Sequence, residues 1–145
     1  MRAVDPVDAR SRSGGTGTLL LVEDEPALRE LVCGFLKGSG YQVLAAADGV
    51  EALALMAAEP GAIDLVVTDV LMPGMDGLEL ASALDRVAPG VGILFISGYA
   101  GEHASVLAVR PGTAFLAKPF TLPQLTAEVR ALIAAIPVRA LNGAS

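Results

Sequence analysis

Five short apolar runs constrain the fold of this chain more than any other feature. The first, Thr18–Val22, reads Thr-Leu-Leu-Leu-Val, and the third, residues 63–68, leads directly into Asp69. A strand that is apolar at every position is typical of a sheet covered on both faces. The sequence therefore predicts five buried strands, at residues 18–22, 41–46, 63–68, 91–96 and 113–117.

Helical patterns separate these runs. After Pro26, which suits a first helical turn, five apolar residues recur at helical spacing and predict an amphipathic helix that stops at Gly38 and Gly40. They are Leu28, Leu31, Val32, Phe35 and Leu36. Asp48 with Glu51 is a capping-box pattern that predicts the start of a second helix.

The second half of the chain continues the alternation. Asp76 with Glu79 repeats the capping pattern and predicts a third helix that runs to about Val87. The segment 102–109 predicts a short, weakly amphipathic fourth helix. Thr121 can cap a last helix that ends before Pro137.

Strands that alternate with helices predict an α/β fold with a parallel sheet and helices on both faces. Right-handed crossovers and short loops leave few topologies. We expect a doubly wound, flavodoxin-like five-stranded sheet of order 2-1-3-4-5. Its ligand site should lie beyond the carboxyl ends of the strands, where strands one and three are neighbours.

The length of 145 residues predicts one domain. We place it at residues 18–137, after a disordered lead (1–17) and before a tail (138–145). The net charge of −6 argues against nonspecific binding to nucleic acid. The single cysteine, Cys33, excludes an intrachain disulfide and favours a reducing, cytoplasmic compartment. No apolar run approaches the roughly 18 residues of a membrane span, so we expect no membrane contact.

Acidic side chains follow two strands that should be neighbours. Glu23 and Asp24 come after strand one, and Asp69 comes after strand three. Two carboxylates about 4 Å apart repel by roughly 4 kcal/mol at an effective dielectric of 20, so such a cluster favours a bound cation. A ligand set of oxygen atoms alone, without histidine or cysteine, selects Mg²⁺.

Two further strand ends complete a site for phosphoryl chemistry. Ser97 follows strand four and offers a hydroxyl donor, and Lys118 follows strand five and offers a positive charge suited to phosphate. A carboxylate nucleophile beside a metal and a lysine is the arrangement that forms an aspartyl phosphate. The sequence therefore predicts that Asp69 accepts a phosphoryl group.

The chain resembles the response-regulator receiver domains of bacterial two-component signalling, from about Thr18 to Ile136. Four motifs at strand ends carry the resemblance. They are Glu23-Asp24, Asp69 with the loop Met72-Pro73-Gly74-Met75-Asp76-Gly77, Ser97-Gly98, and Lys118-Pro119-Phe120.

This resemblance implies a role for each site residue. Asp69 is the phosphoacceptor, and Mg²⁺ is bound by Asp69, by Asp24, by Glu23 directly or through water, and by the backbone carbonyl of Leu71. Lys118 pairs with the phosphoryl group, and its bond to Pro119 is expected to be cis. Ser97 and Phe115 form the conformational switch. The chain would catalyse only its own phosphorylation and dephosphorylation, and would not be a conventional enzyme.

The resemblance also implies partners. The phosphoryl donor is a histidine kinase or a phosphotransfer protein, and the output is a partner protein or other domains of a hybrid histidine kinase. The lead at residues 13–18 and the string at residues 95–100 resemble those of receiver domains in hybrid kinases. The partner-binding face should combine the short helix at 102–109, strand five and the last helix. We expect no DNA-binding output domain in this chain, and a monomer or weak dimer.

Three other functions are compatible with parts of the pattern. A Mg²⁺-dependent phosphatase with an aspartyl nucleophile usually needs a second acid where this chain has Leu71. A flavodoxin-like cofactor protein needs a phosphate-binding loop where this chain has Glu23-Asp24-Glu25, which repels phosphate. The third alternative is a receiver fold that serves as a constitutive interaction module, which an intact acceptor site disfavours.

Overall fold

The computed structural model describes residues 17–59, 61–70, 74–97 and 112–135. These residues form five strands and four helices. In chain order they are β1 (Thr18–Val22), α1 (Pro26–Gly38), β2 (Gln42–Ala46), α2 (Gly49–Ala58), β3 (Leu65–Asp69), α3 (Gly77–Val87), β4 (Gly92–Ser97), β5 (Thr113–Ala117) and α4 (Leu122–Ala135). The helix predicted at residues 102–109 lies outside the described residues.

The sheet has the predicted topology. Its five strands are all parallel, in the order β2-β1-β3-β4-β5. The register pairs Val22 with Thr68 across β1 and β3, and Ser97 with Ala117 across β4 and β5. The carboxyl ends of β1, β3, β4 and β5 therefore meet at one edge of the sheet.

Polar side chains fix the starts of the helices as the sequence predicts. Asp48 Oδ1 accepts from the Glu51 backbone N–H at 2.8 Å. Asp76 and Glu79 form a full capping box at the start of α3. Thr121 Oγ1 likewise accepts from the backbone N–H of Gln124 at 3.1 Å. Each such cap is worth about 1 kcal/mol, because it satisfies backbone donors that the helix cannot pair.

Successive residues of the central strands point into two separate cores. On one face, Leu19 and Leu65 pack with residues of α1 and α4, such as Leu36 and Val129. On the other face, neighbouring strand residues pack with α2 and α3. That second core includes Leu20, Val66, Met56, Leu84 and Phe95. The continuous apolar runs are thus explained by helices on both sides of the sheet.

One predicted core residue is exposed. Helical spacing predicts Leu31 on the apolar face of α1, but its side chain is 57% exposed. Val32 and Leu36 occupy the centre of the buried stripe, and Leu31 lies on the solvent side of it.

Two strands also end later than predicted, because β3 includes Asp69 and β4 includes Ser97. Among the described residues, no helix combines the length and the apolar character that crossing a membrane requires.

Candidate functional site

Three carboxylates converge at the carboxyl edge of the sheet. Asp69 is the last residue of β3 and is 5% exposed, and Glu23 follows β1 and is 8% exposed. Asp24 is exposed. One oxygen from each of the three side chains lies within 4.8 Å of the others. The adjacency of β1 and β3 brings these acids together, as the sequence predicts.

The turn that carries Glu23 is held by several hydrogen bonds. Its backbone N–H donates to the carbonyl of Ala46 at 3.0 Å, which extends the pairing of β1 with β2. Its carbonyl accepts from Arg29 Nη1 at 2.8 Å, and its Oε2 accepts from the Glu25 backbone N–H at 3.1 Å. Arg29, in the first turns of α1, thus tethers the acidic turn to the helix, a contact that the sequence did not reveal.

The main electrostatic effect within the acidic cluster is a raised pKa of Glu23. Its pKa is raised from 4.5 to about 7, chiefly by burial and further by hydrogen bonding with Asp69 and by the charge of Asp69. The Glu25 N–H and the Lys118 charge act in the opposite direction on this pKa. Without a cation, Glu23 therefore keeps its proton up to about pH 7.

Lys118, the first residue after β5, reaches the same cluster. Its Nζ lies 3.1 Å from Asp69 Oδ1, and its side chain is 42% exposed. The backbone N–H of Lys118 donates to the carbonyl of Ser97 at 3.0 Å, and the Lys118–Pro119 peptide bond is cis, as predicted. The ammonium group thus approaches the buried carboxylate from the solvent side.

Asp69 Oδ1 is buried and accepts no hydrogen bond from the described part of the chain. The contact with Lys118 Nζ is close enough for an ion pair, but its direction does not make it a hydrogen bond. A buried carboxylate oxygen without a hydrogen-bond donor is costly, since it has lost its hydration. This oxygen therefore has coordination capacity for a cation or for a reacting phosphorus atom.

The chemistry of the donors fits a hard divalent cation. The cluster offers carboxylate oxygens alone, two of its members are buried, and one buried oxygen accepts no hydrogen bond within the described ranges. Oxygen donors of this kind suit Mg²⁺, which also retains several waters. Leu71, whose carbonyl was predicted as a further ligand, lies outside the described residues.

The two predicted switch residues lie on neighbouring strands. Ser97 ends β4 and is 4% exposed, and Phe115 lies in β5 and is half-buried. The ring of Phe115 stacks on that of Phe95, with centroids 5.4 Å apart and an interplanar angle of 26°. Phe95 is fully buried on the face covered by α2 and α3. The aromatic side chain of β5 is therefore directed towards the core.

Gly77, at the start of α3, lies very close to the backbone of Asp69 and Val70. A Cβ atom on Gly77 would lie 2.9 Å from the Asp69 carbonyl oxygen, 2.9 Å from Val70 Cα and 3.1 Å from Phe95 Cε1. Sequence reasoning treated Gly77 only as part of a loop motif and gave Phe95 no role in the site. Alanine forms helices better than glycine, so a glycine in the first turn of a helix can indicate a position with no room for a Cβ atom. That is the one sequence signal that could have identified Gly77.

A family model described as "Response regulator receiver domain" matches residues 19–130. The sensor kinase CckA of Brucella abortus (strain 2308) is 41% identical over 128 residues, which cover 88% of this chain and 14% of that protein. The response regulator MprA of Mycobacterium sp. (strain KMS) is 39% identical over 116 residues, which cover 79% of this chain and 50% of that protein. The chain thus spans between a seventh and a half of these relatives.

Solved structures share the whole fold. The receiver domain of the hybrid histidine kinase CckA matches with a TM-score of 0.71 and 38% identity, covering 81% of this chain and 99% of that domain. The response regulator TrrA from Thermotoga maritima, crystallised in complex with Mg²⁺-BeF, matches with a TM-score of 0.70 and 31% identity. That match covers 80% of this chain and 98% of TrrA.

Proposed function

Because the chain belongs to the response regulator receiver domains of two-component signalling, we propose that Asp69 is the residue that receives the phosphoryl group. One observation carries the proposal. Asp69 Oδ1 is buried and accepts no hydrogen bond from the described residues, and it lies 3.1 Å from Lys118 Nζ. A carboxylate held in this way has a free lone pair and a positive charge beside it, which a nucleophile towards phosphorus requires.

In the proposed phosphoryl transfer, an N–P bond of the donor is replaced by an O–P bond to Asp69. An oxygen of Asp69 attacks the phosphorus atom of a phosphohistidine, the new O–P bond forms, and the N–P bond breaks. The electron pair of that bond stays on the imidazole nitrogen, which takes up a proton. Lys118 stabilises the negative charge of the phosphoryl oxygens in the transition state, where the ammonium contributes most.

Glu23, Asp24, Asp69 and the carbonyl of Leu71 would hold Mg²⁺. When bound, the ion supplies positive charge that offsets the repulsion between the carboxylates and the incoming phosphoryl group. Glu23 must give up its proton before it can serve as a ligand, since a metal binds the ionised carboxylate. The raised pKa of Glu23 therefore makes binding of the ion weaker below about pH 7.

The phosphorylated state would be reported through β4 and β5. The hydroxyl of Ser97 donates to a phosphoryl oxygen and draws the end of β4 towards Asp69. Phe115 then changes its packing beside Phe95. The outcome is a shift between two arrangements of the face made by β5, α4 and the helix predicted at residues 102–109. Its surface would be less polar than with tyrosine at this position, because Phe115 has no hydroxyl.

The relatives support a proposal about the partners. We infer that the phosphoryl group comes from a histidine kinase or a phosphotransfer protein, and that the output is a separate protein or the other domains of a hybrid kinase. The identity to the Brucella sensor kinase CckA, of which this chain matches 14%, supports the hybrid-kinase arrangement. In either case this chain is the phosphoacceptor switch of a larger system.

The test is incubation with acetyl phosphate and Mg²⁺ followed by intact-mass measurement. We expect one added phosphoryl group on the wild type and none on Asp69→Asn. Asp85→Asn, the same change on the exposed side of α3, is the matched control and should be phosphorylated like the wild type.

The same experiment separates the alternatives. An unmodified wild type that still binds Mg²⁺ would indicate a constitutive interaction module. Rapid multiple-turnover release of phosphate from organic phosphates would indicate a phosphatase. Phosphorylation of Asp69→Asn to the wild-type extent would contradict the assignment of the acceptor.

A further inference from the structure

The segment that enters α3, residues 74–77, lies against the backbone of the acceptor residue. Gly77 N–H donates to the carbonyl of Val70 at 2.6 Å. Its Cα faces the Asp69 carbonyl so closely that an added Cβ would stand 2.9 Å away. Any displacement of this entry segment therefore moves the backbone that positions the Asp69 carboxylate.

A methionine of the entry segment packs on a glycine from another element. A Cβ atom built on Gly49 would lie 2.7 Å from Met75 Sδ and 3.1 Å from both Met75 Cβ and Met75 Cγ. Gly49 is buried and is the first residue of α2, directly after the Asp48 cap. The Met75 side chain thus lies flat on the Cα of Gly49, and the contact begins at its Cβ, where the side chain cannot rotate away.

Helix propensity does not explain a glycine at this position. Gly49 is the first residue of α2, and glycine has no advantage over alanine as a helix former. The backbone angle of Gly49 is not in the left-handed region that requires glycine, unlike those of Gly40 and Gly74. The one feature of Gly49 that alanine could not reproduce is the space occupied by Met75.

We propose that Gly49 and Met75 are positioning residues for the phosphoacceptor: the missing Cβ of Gly49 seats Met75, and Met75 holds the entry segment against Asp69. The inference rests on the proposed function. Mechanically, α2 acts as a fixed support, because its own core residues Ala52 and Met56 are buried against the sheet. A methyl group at Gly49 would push Met75, and through Gly77 the Asp69 backbone, by a few tenths of an ångström.

The experiment measures the rate of phosphoryl uptake from acetyl phosphate at a fixed Mg²⁺ concentration, together with urea unfolding and a titration with Mg²⁺ alone followed by amide chemical shifts. Gly49→Ala should slow uptake about tenfold, since a misplacement of reacting groups by about 1 Å can cost about a hundredfold and the displacement here is smaller. Its Mg²⁺ affinity should fall as well, in a measurement that involves no phosphoryl transfer.

Gly34→Ala is the matched control. It makes the same substitution within a helix at an exposed position, where a Cβ would meet no atom within 4 Å. We expect unchanged uptake and unchanged Mg²⁺ affinity. A slow Gly34→Ala variant would overturn the proposal, because the effect would then belong to glycine replacement in general.

The decisive comparison repeats Gly49→Ala in a Met75→Ala background. Met75→Ala alone removes the support and should slow uptake. It leaves only the Cβ of residue 75 beside the added methyl at position 49, so Gly49→Ala should cause a much smaller further loss in this background than in the wild type. Equal slowing by Gly49→Ala in both backgrounds, or no slowing in either, would overturn the proposal. If Gly49→Ala does not fold, Met75→Ala carries the test alone, and wild-type uptake by that variant overturns it.

Failure of the inference is distinguishable from failure of the proposed function. A wild type that takes up no phosphoryl group overturns both. If the wild type is phosphorylated and Gly49→Ala and Met75→Ala take up phosphoryl groups at the same rate, the positioning role is overturned and Asp69 remains the acceptor.

Discussion

Replacement of Glu23 by glutamine is expected to stabilise the metal-free protein near neutral pH and to have little effect near pH 4. Glu23 is 8% exposed, and its pKa is raised from 4.5 to about 7, first by burial and then by its contacts with Asp69. Glutamine keeps the shape of the side chain and can still accept from the Glu25 N–H. It cannot become charged, so it removes only the ionisation.

The size of the effect follows from the two pKa values. Below about pH 4.5, Glu23 is protonated in the folded and the unfolded chain and contributes no pH dependence. Between about pH 4.5 and 7, the unfolded chain releases the proton while the folded chain retains it, so the contribution of Glu23 to stability falls as pH rises. Above about pH 7 the destabilisation is complete and is on the order of 3 kcal/mol, since each tenfold change in the acid dissociation constant is worth about 1.4 kcal/mol.

The assay is urea unfolding in the presence of EDTA at several values between pH 4 and 8. The free-energy difference between Glu23→Gln and the wild type should be near zero at pH 4, rise through pH 6 and level off above pH 7. Glu30→Gln, the same change at an exposed position of α1, is the control and should show a small and nearly constant difference. The reasoning would be refuted if the difference in unfolding free energy between Glu23→Gln and the wild type did not change with pH. It would also be refuted if the wild type became more stable relative to Glu23→Gln as pH rises.

Three further predictions concern other parts of the chain. Tyr41→Phe should raise the unfolding free energy by about 1 kcal/mol in urea, because the Tyr41 hydroxyl is buried and has no hydrogen-bond partner among the described residues; a loss of stability would reveal a partner. Phe95→Ala should lower the unfolding free energy by about 3–5 kcal/mol, because it removes a fully buried ring and its stack with Phe115, and a cost below 1 kcal/mol would contradict that packing. Phosphorylated Asp69 should hydrolyse slowly, because the family resemblance implies that Leu71 and Tyr99, two residues beyond Asp69 and Ser97, flank the phosphoryl group, and both side chains are bulkier than the small polar residue that would position an attacking water; a half-life of seconds in Mg²⁺ buffer, measured by mass spectrometry, would count against this.

The sheet and the strand ends could be predicted because the signals are local. A run such as Thr18–Val22 has no polar face, so it must be covered on both sides, and Glu23 and Asp24 come directly after it. Once β1 and β3 are neighbours, the meeting of Asp24 with Asp69 follows from the topology. The helix starts were equally local, as the Asp76–Glu79 capping box illustrates.

Features that depend on neighbours far along the chain could not be predicted. Helical spacing placed Leu31 with Val32 and Leu36, but which edge of the stripe faces solvent depends on how α1 lies on the sheet. The acid cluster was predictable, whereas the retention of the proton by Glu23 depends on its burial, which exposed Asp24 does not share.

The glycine contacts were hidden for the same reason. A role for Gly49 depends on Met75, 26 positions later, and becomes visible only when the atoms around its Cα are known. In the sequence it is one glycine among 16. The spacing of a sequence motif does not indicate which of its residues are in contact in the folded protein.

The most direct test of the account is to locate the phosphoryl group. The wild type is phosphorylated with acetyl phosphate and Mg²⁺, the acyl phosphate is reduced with borohydride, and the digested chain is mapped by mass spectrometry. The account predicts that the reduced residue is Asp69 and that omission of Mg²⁺ strongly lowers its yield. A modification at Asp24, at Glu23 or on a histidine, or an unmodified chain in the presence of Mg²⁺, would contradict it.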